Sequence, residues 1–169
     1  MNTLAVSNIS CLRQGIELLR NLPEGFYSKP CAEVFGSTIG GHLRHNLDHY
    51  KAFMTGMEPG WVDYDARSRD TSIETRPDAA IHLIENLIEK LGTVSEADFD
   101  RELQIRMDDG GSSSWSKTTL RRELQFLLSH TIHHYALIAS IARRFGFTRL
   151  PAEFGIAPST LSHVGEKTN

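Results

Sequence analysis

Four long stretches of this 169-residue chain place apolar residues at every third or fourth position, the spacing of one face of an α-helix. They run from about residue 3 to 22, from 37 or 38 to 55, from 77 to 92, and from 116–119 to 144 or 145. Each ends at a proline or a glycine, residues that commonly stop a helix. An apolar face on each of four helices must be buried against the others. The spacing therefore predicts an all-α four-helix bundle that occupies residues 1–169 as a single domain.

Two connections between these helices are unusual. The second-to-third connection, around residues 61–76, is long for a plain loop, and such loops are often functional. Residues 99–116 alternate around Leu103, Ile105 and Met107 before an Asp-Gly-Gly sequence. We expect either a small two-stranded hairpin before the last long helix or an extended loop.

Six of the eight histidines form two clusters, one on the second helix and one on the last. They are His42, His45, His49, His130, His133 and His134. Residues four apart share a helix face, so His45 stacks on His49 and His130 stacks on His134. Two helices that each offer such a pair can bind one metal ion between them, and imidazole suits zinc, nickel, copper and iron. Spacing alone leaves open which histidine of the second helix binds.

Two carboxylates lie near these histidines along the helices. Asp48 is one turn from His45, and is a candidate acceptor for the second ring N–H that a metal-bound histidine donates. The alternative is a solvated helix carboxylate. Glu123 lies two turns before His130. Neither is assigned as a general base, so the catalytic residues are unknown at this point.

The quartet STIG at positions 37–40 followed by His45, and the run SHTIHH at positions 129–134, resemble the DinB-like four-helix-bundle family. The resemblance covers roughly residues 3–144, including the helix order and the long second-to-third connection. It implies a divalent metal bound by one histidine of the second helix and by an HxxxH pair of the last long helix. By position these ligands are His45, His130 and His134. His49 and His133 are additional histidines that this pattern does not require.

A site of three histidines plus water is open, as catalytic metal centres are, whereas a fourth protein ligand would close it. One divalent ion there, zinc or nickel, suits hydrolysis or the transfer of a thiolate. The resemblance implies the same classes, metal-dependent hydrolases and thiol-dependent S-transferases acting on a small-molecule substrate or thiol. One alternative is a metal-binding bundle with a binding or stress role and no turnover. Another is a structural or interaction bundle without metal, whose histidines are core residues.

Bulk properties give no reason to expect a nucleic-acid or membrane partner. A net charge of −3, a pI near 6.2 and the lack of a Lys/Arg-rich run give no reason to expect nucleic acid. No segment approaches the roughly 20 apolar residues of a membrane span, and the first residues do not read as a signal peptide. The two cysteines lack metal-site spacing. We expect a cytoplasmic protein without a nucleic-acid or membrane partner.

Apolar residues in the predicted loops suggest self-association. Trp61, Trp115 and Phe154 have no evident core position in the helical pattern. Bundles of the resembling family commonly pair, and a two-fold dimer is the commonest soluble homo-oligomer. We therefore expect a homodimer.

The open metal position is expected to face a pocket between the second and last long helices. Binding residues favour loops on a rigid scaffold. The rim should therefore come from the two longest segments without helical period, residues 64–76 and 104–116.

Overall fold

A computed structural model describes residues 3–66, 68–108, 110–111 and 114–157 of the chain. Four long helices dominate it, and the predicted all-α bundle is confirmed, with a small sheet added. None of the described helices is long and apolar enough to cross a membrane. The order of helices and strands is α1 (Thr3–Asn21), α2 (Ile39–Gly56), β1 (Trp61–Asp63), α3 (Thr71–Thr75), α4 (Pro77–Gly92), β2 (Glu102–Arg106), β3 (Ser116–Thr119) and α5 (Leu120–Arg144).

Side-chain caps determine where the two histidine helices begin. Thr38 Oγ1 accepts a hydrogen bond from the Gly41 amide at 2.8 Å. Thr119 Oγ1 accepts one from the Arg122 amide at 3.3 Å. These bonds satisfy amide groups that have no acceptor inside the first turn of a helix. Thr38 is one of the two start positions that the sequence predicts for α2.

The apolar faces of the four long helices meet in one core. Within it α1 packs against α4 and α5, and α2 packs against α4 and α5. Burying one leucine- or isoleucine-sized side chain contributes about 1.5–3 kcal/mol, so we predict that a core of this size keeps the bundle folded without a metal ion. Its largest fully buried side chains include Leu12, Leu18, Leu43, Leu47, Tyr50, Phe53, Ile84, Leu91 and Tyr135.

The small sheet joins the two unusual connections. Strand β2 pairs antiparallel with β3, which is the hairpin alternative of the sequence prediction. Strand β1 pairs parallel with β2, with Val62 opposite Ile105. The sequence did not predict β1 or the five-residue α3. A three-residue strand with a single buried side chain, Val62, is too short to show an alternating pattern.

The three apolar loop residues have different surroundings. Trp61 and Trp115 are exposed and contact each other edge to face, with ring centroids 5.0 Å apart. The expectation that Phe154 lacks a core position is wrong. Its ring is buried and stacks on the ring of Tyr135, with centroids 4.3 Å apart. The reason is that residues 151–155 turn back onto α5, so that Gly155 lies against the backbone of Ala136.

The first turn of α2 packs directly on α3. The Gly40 amide donates a hydrogen bond to the Tyr27 carbonyl oxygen at 2.9 Å, and the Tyr27 hydroxyl donates to the carbonyl oxygen of Ile73. A Cβ atom on Gly40 would collide with the carbonyl oxygen of Glu74. Only glycine therefore allows the two helices to approach this closely.

We predict that Gly40→Ala destabilises the fold. The added methyl group forces α2 and α3 apart, and overpacking of this kind costs about 1–3 kcal/mol of unfolding free energy. The matched control is Gly92→Ala, because Gly92 is also helical and nothing lies within 4 Å of its Cβ position. That variant should gain up to about 1 kcal/mol from helix propensity. Equal unfolding free energies of the two variants in urea titrations would contradict the packing described here.

Candidate metal centre

Four imidazole rings lie together between α2 and α5. His45 and His49 come from α2, and their ring centroids are 4.6 Å apart. His130 and His134 come from α5, at 4.4 Å. Across the helix pair, the His49 and His130 centroids are 4.4 Å apart, those of His45 and His134 4.7 Å, and those of His45 and His130 5.1 Å. The two predicted i, i+4 pairs thus face each other.

Three of these side chains form the tightest group. One ligand atom each from His45, His49 and His130 lies within 4.8 Å of the other two. Two nitrogens bound to one tetrahedral ion at about 2.1 Å lie about 3.4 Å apart. The three side chains are thus grouped closely enough that they could hold a transition-metal ion once the nitrogens move closer together.

The His49 side chain is already oriented as a ligand. Its Nδ1 lies 2.8 Å from the backbone carbonyl oxygen of His45. A carbonyl oxygen only accepts hydrogen bonds, so Nδ1 carries the proton and donates. The lone pair of the neutral ring then belongs to Nε2. A hydrogen bond of this type is the usual way in which the ligating nitrogen of a histidine is fixed.

His134 pairs with the third histidine of α2. Its Nδ1 lies 3.1 Å from Nδ1 of His42, so one of these nitrogens donates and the other accepts. Burial, and then the neighbouring His130 and His45 rings, lower the pKa of His134 to about 3. Burial, followed by the charge of His133, also lowers the pKa of His42. Both rings are therefore neutral near pH 7, the protonation state that a metal ligand requires.

The structure brings together His45, His130 and His134, the ligands that the resemblance implies, and adds His49. His133 is exposed, and its ring meets that of His134 edge to face at 5.4 Å. It therefore lies outside the four-ring cluster. The tight three-atom group contains His49 rather than His134, a distinction that helical spacing cannot make.

Aromatic side chains close the cluster behind His49 and His130. The Tyr64 ring lies 5.5 Å from that of His49, and the Phe126 ring lies 5.4 Å from that of His130. The Tyr64 hydroxyl donates to Glu123 Oε2 at 2.7 Å, and burial followed by the Glu123 charge raises the pKa of Tyr64. Glu123 also accepts from Thr118 Oγ1 at 2.7 Å. Its two oxygens thus hold the wall of the site in place.

A buried polar network ties the backbone positions next to the ligands together. The Thr131 hydroxyl lies 2.6 Å from the carbonyl oxygen of Leu127, 3.1 Å from the Tyr50 hydroxyl and 3.2 Å from Asn46 Oδ1. Tyr50 in turn donates to Asn8 Oδ1 of α1 at 2.8 Å. Asn46 follows His45 and Thr131 follows His130, so these bonds fix the two ligand-bearing turns relative to each other. Helical spacing gave no signal for this network.

The expectation for Asp48 is not met by its contacts. The side chain is buried, with 4% exposure, so the solvated alternative is wrong. In the part of the chain that the structure describes, it makes no hydrogen bond to a histidine. It lines a separate cavity between α2 and β1.

A cavity of about 380 Å³ borders the cluster on the side of His45 and His134. It lies between α2 and α5, where the sequence analysis expected a pocket. Its rim differs in part from the expected one. Glu74 comes from the predicted segment 64–76, but the described residues of 104–116 do not line it. The remaining lining residues are Gly36, Ser37, Thr38, Gly41, His42 and Arg44.

Arg44 and Glu74 place a pair of charges at this cavity. Arg44 Nε lies 3.1 Å from Glu74 Oε2, and both side chains are about one-quarter to one-third exposed. The sequence predicts the rim segment that contains Glu74 but gives no indication that Arg44 pairs with it. Their separation of 30 positions along the chain gives no local signal, and only the close packing of α2 on α3 brings them together.

Comparisons with known proteins agree with this architecture. The family model of the DinB superfamily matches residues 13–138. A crystal structure of a DinB-like protein from Bacillus subtilis superposes with a TM-score of 0.68 over 90% of this chain and 99% of that chain, and at 22% sequence identity this likeness concerns the fold alone.

A sequence relative is known from the fungus Rhizopus delemar. This chain is 35% identical to its FK506-binding protein 5 over 107 residues, which are 61% of this chain. The match spans only 27% of that larger protein. Because the family model covers more than half of the chain, the chain belongs to the DinB superfamily.

Proposed function

We propose that this protein is a metal-dependent enzyme of the hydrolase or thiol S-transferase type, with one zinc or nickel ion bound in the histidine cluster. The observation that carries the proposal is the group of imidazole nitrogens within 4.8 Å of one another, next to a cavity of about 380 Å³. A cluster of imidazoles offers nitrogen lone pairs, which suit a divalent transition-metal ion.

His45 and His130 belong both to the ligand set that the resemblance implies and to the set that the geometry favours. The resemblance assigns His134 as the third ligand, whereas the geometry favours His49. The Nδ1–H of His49 is bonded to a backbone carbonyl oxygen, which leaves its Nε2 to bind a metal ion, and His49 belongs to the tight group. His134 borders the cavity and is held by His42. We therefore propose His49 as the third ligand and His134 as the imidazole on the substrate side.

The cavity residues supply the contacts for a small molecule. When bound, the metal ion supplies Lewis acidity and lowers the pKa of a coordinated water or thiol. Arg44, which is ion-paired with Glu74, provides guanidinium N–H donors at the cavity, and Thr38 and Ser37 provide hydroxyl groups. His134 and His42 present imidazoles on the same side. Such a lining suits a substrate that carries a carboxylate or a thiolate.

We also propose that the protein is a homodimer and that it is located in the cytoplasm. Trp61 and Trp115 form an exposed aromatic pair, which supports a homodimer. Cys11 and Cys31 are free thiols, which supports a reducing compartment such as the cytoplasm. Light scattering that returns the monomer mass of 19.0 kDa at all concentrations would contradict the dimer.

Metal content is predicted to depend on the clustered histidines. The unmodified, untagged protein should hold about one zinc or nickel ion per chain, measured by elemental analysis. Single changes His45→Ala and His130→Ala should each remove most of it, because three-ligand sites rarely keep their ion with two ligands. The control is His82→Ala, since His82 is an exposed histidine of α4. Unchanged metal in the double variant of His45 and His130 would refute the site.

The same measurement decides the third ligand. His49→Ala should lose metal as strongly as His130→Ala, whereas His134→Ala should keep most of it. The reverse result would establish the set His45, His130 and His134. Circular dichroism of each variant checks that the bundle has folded.

Cobalt-substituted protein should report an open coordination position. We predict that adding 2-mercaptoethanol or acetate changes the visible absorption spectrum, because a divalent ion bound by neutral imidazoles keeps its charge and attracts anions. The His130→Ala variant, treated identically, controls for free cobalt. A spectrum that never changes would show a closed site and reject the catalytic proposal. Metal-dependent turnover of an activated ester, or of a thiol with an electrophile, separates an enzyme from a metal-binding bundle without turnover.

A further inference from the structure

Glu123 is a buried carboxylate near the histidine cluster to which the proposed function gives no role. Its side chain is 2% exposed. It lies on α5 two helical turns before His130, a distance of about 10 Å along the helix axis. Residues seven apart share a helix face, and Phe126, between the two, contacts the His130 ring. The carboxylate and the α5 histidine therefore lie on the same side of the helix.

Neutral groups bind the Glu123 carboxylate. Oε2 accepts from the Tyr64 hydroxyl and Oε1 accepts from the Thr118 hydroxyl, each at 2.7 Å. Both oxygens are acceptors, as in the ionised form of the group. Among the described residues the carboxylate forms no ion pair, and the neighbouring Arg122 is exposed. The hydroxyl groups and the positive end of the α5 dipole lower the cost of burial, but one net negative charge remains.

Tyr64 connects this charge to the histidines. Its ring is buried and lies 5.5 Å from the ring of His49, and its hydroxyl is bonded to Glu123. The Phe126 ring packs against the same tyrosine at 5.4 Å. Tyr64 therefore cannot leave His49 without breaking its bond to the carboxylate. The negative charge lies one tyrosine side chain away from a candidate metal ligand.

The other carboxylates near the cluster have cations beside them. Glu74 forms an ion pair with Arg44. Asp48 lines a cavity together with Lys51. Glu123 differs from both because its direct partners are uncharged.

We propose, on the basis of the metal centre in the proposed function, that Glu123 is the buried counter-charge of the metal ion and, through Tyr64, a positioning residue for His49. Histidines bind a metal ion as neutral imidazoles, so the ion keeps its full charge. The protein interior screens charges weakly compared with water, so a carboxylate at this distance attracts a dication.

The test measures the zinc affinity of the metal-free protein by competition with a chromophoric chelator. Glu123→Gln removes the charge and keeps the shape, and its amide can accept from Tyr64 and donate to Thr118. We expect zinc binding to weaken by at least about tenfold, as for other groups just outside the ligands of a metal. Thr118→Val is the matched control. It removes one hydrogen bond and should leave the zinc affinity nearly unchanged, because the charge remains. Circular dichroism and melting of the metal-free variants check that they fold.

A comparison of two ions separates charge from geometry. Coulomb attraction is proportional to the charge of the ion, so a tenfold loss for zinc corresponds to about a threefold loss for copper(I) in the same Glu123→Gln variant. Equal fold losses for the two ions would show an effect of geometry alone and overturn the counter-charge. Zinc binding by Glu123→Gln as tight as by the unmodified protein would overturn this inference and leave the proposed function standing. Failure of the unmodified protein to bind zinc would overturn both.

Discussion

The packing of α2 against α5 is the contact on which the rest of this structure depends. It places two i, i+4 histidine pairs opposite each other, so that four imidazoles lie together, with His49 and His134 buried and His45 and His130 partly exposed. Such an arrangement removes polar nitrogens from water, and hydrogen bonds compensate only part of that cost. The adjoining Thr131 network and the His49 bond to a backbone carbonyl hold the rings where one cation can bind several of them. The bundle supplies the rigidity, and the histidines supply the chemistry.

Access to this cluster depends on the beginning of α2. Thr38 caps the helix, and Gly40 allows α3 to approach it. This close approach brings Glu74 next to Arg44, and together they bound the cavity at His45 and His134. The rings of Tyr64 and Phe126 contact His49 and His130 on the other side of the cluster. The bundle therefore combines a partly covered histidine cluster with a polar cavity beside it.

Much of this arrangement follows from local patterns in the sequence. The apolar period, the Thr38 cap and the helix-ending glycines predict the four long helices, and i, i+4 spacing predicts the facing histidine pairs. Features that depend on contacts between residues far apart in the sequence cannot be predicted from such local patterns. Strand β1 exists because β2 lies beside it, and Phe154 is buried because the chain after α5 folds back. Whether His49 or His134 joins His45 and His130 in the tight group depends on side-chain rotamers and on one backbone hydrogen bond.

Anomalous X-ray scattering from crystals of the zinc-loaded protein tests the central claim most directly. Data collected above and below the zinc absorption edge locate the ion independently of any assumption about its ligands. We predict one peak per chain, at about 2.0–2.1 Å from a nitrogen of His45, of His130 and of one further histidine of the cluster. A peak at the exposed His82 or His133, or no peak between α2 and α5 at full zinc loading, would contradict it.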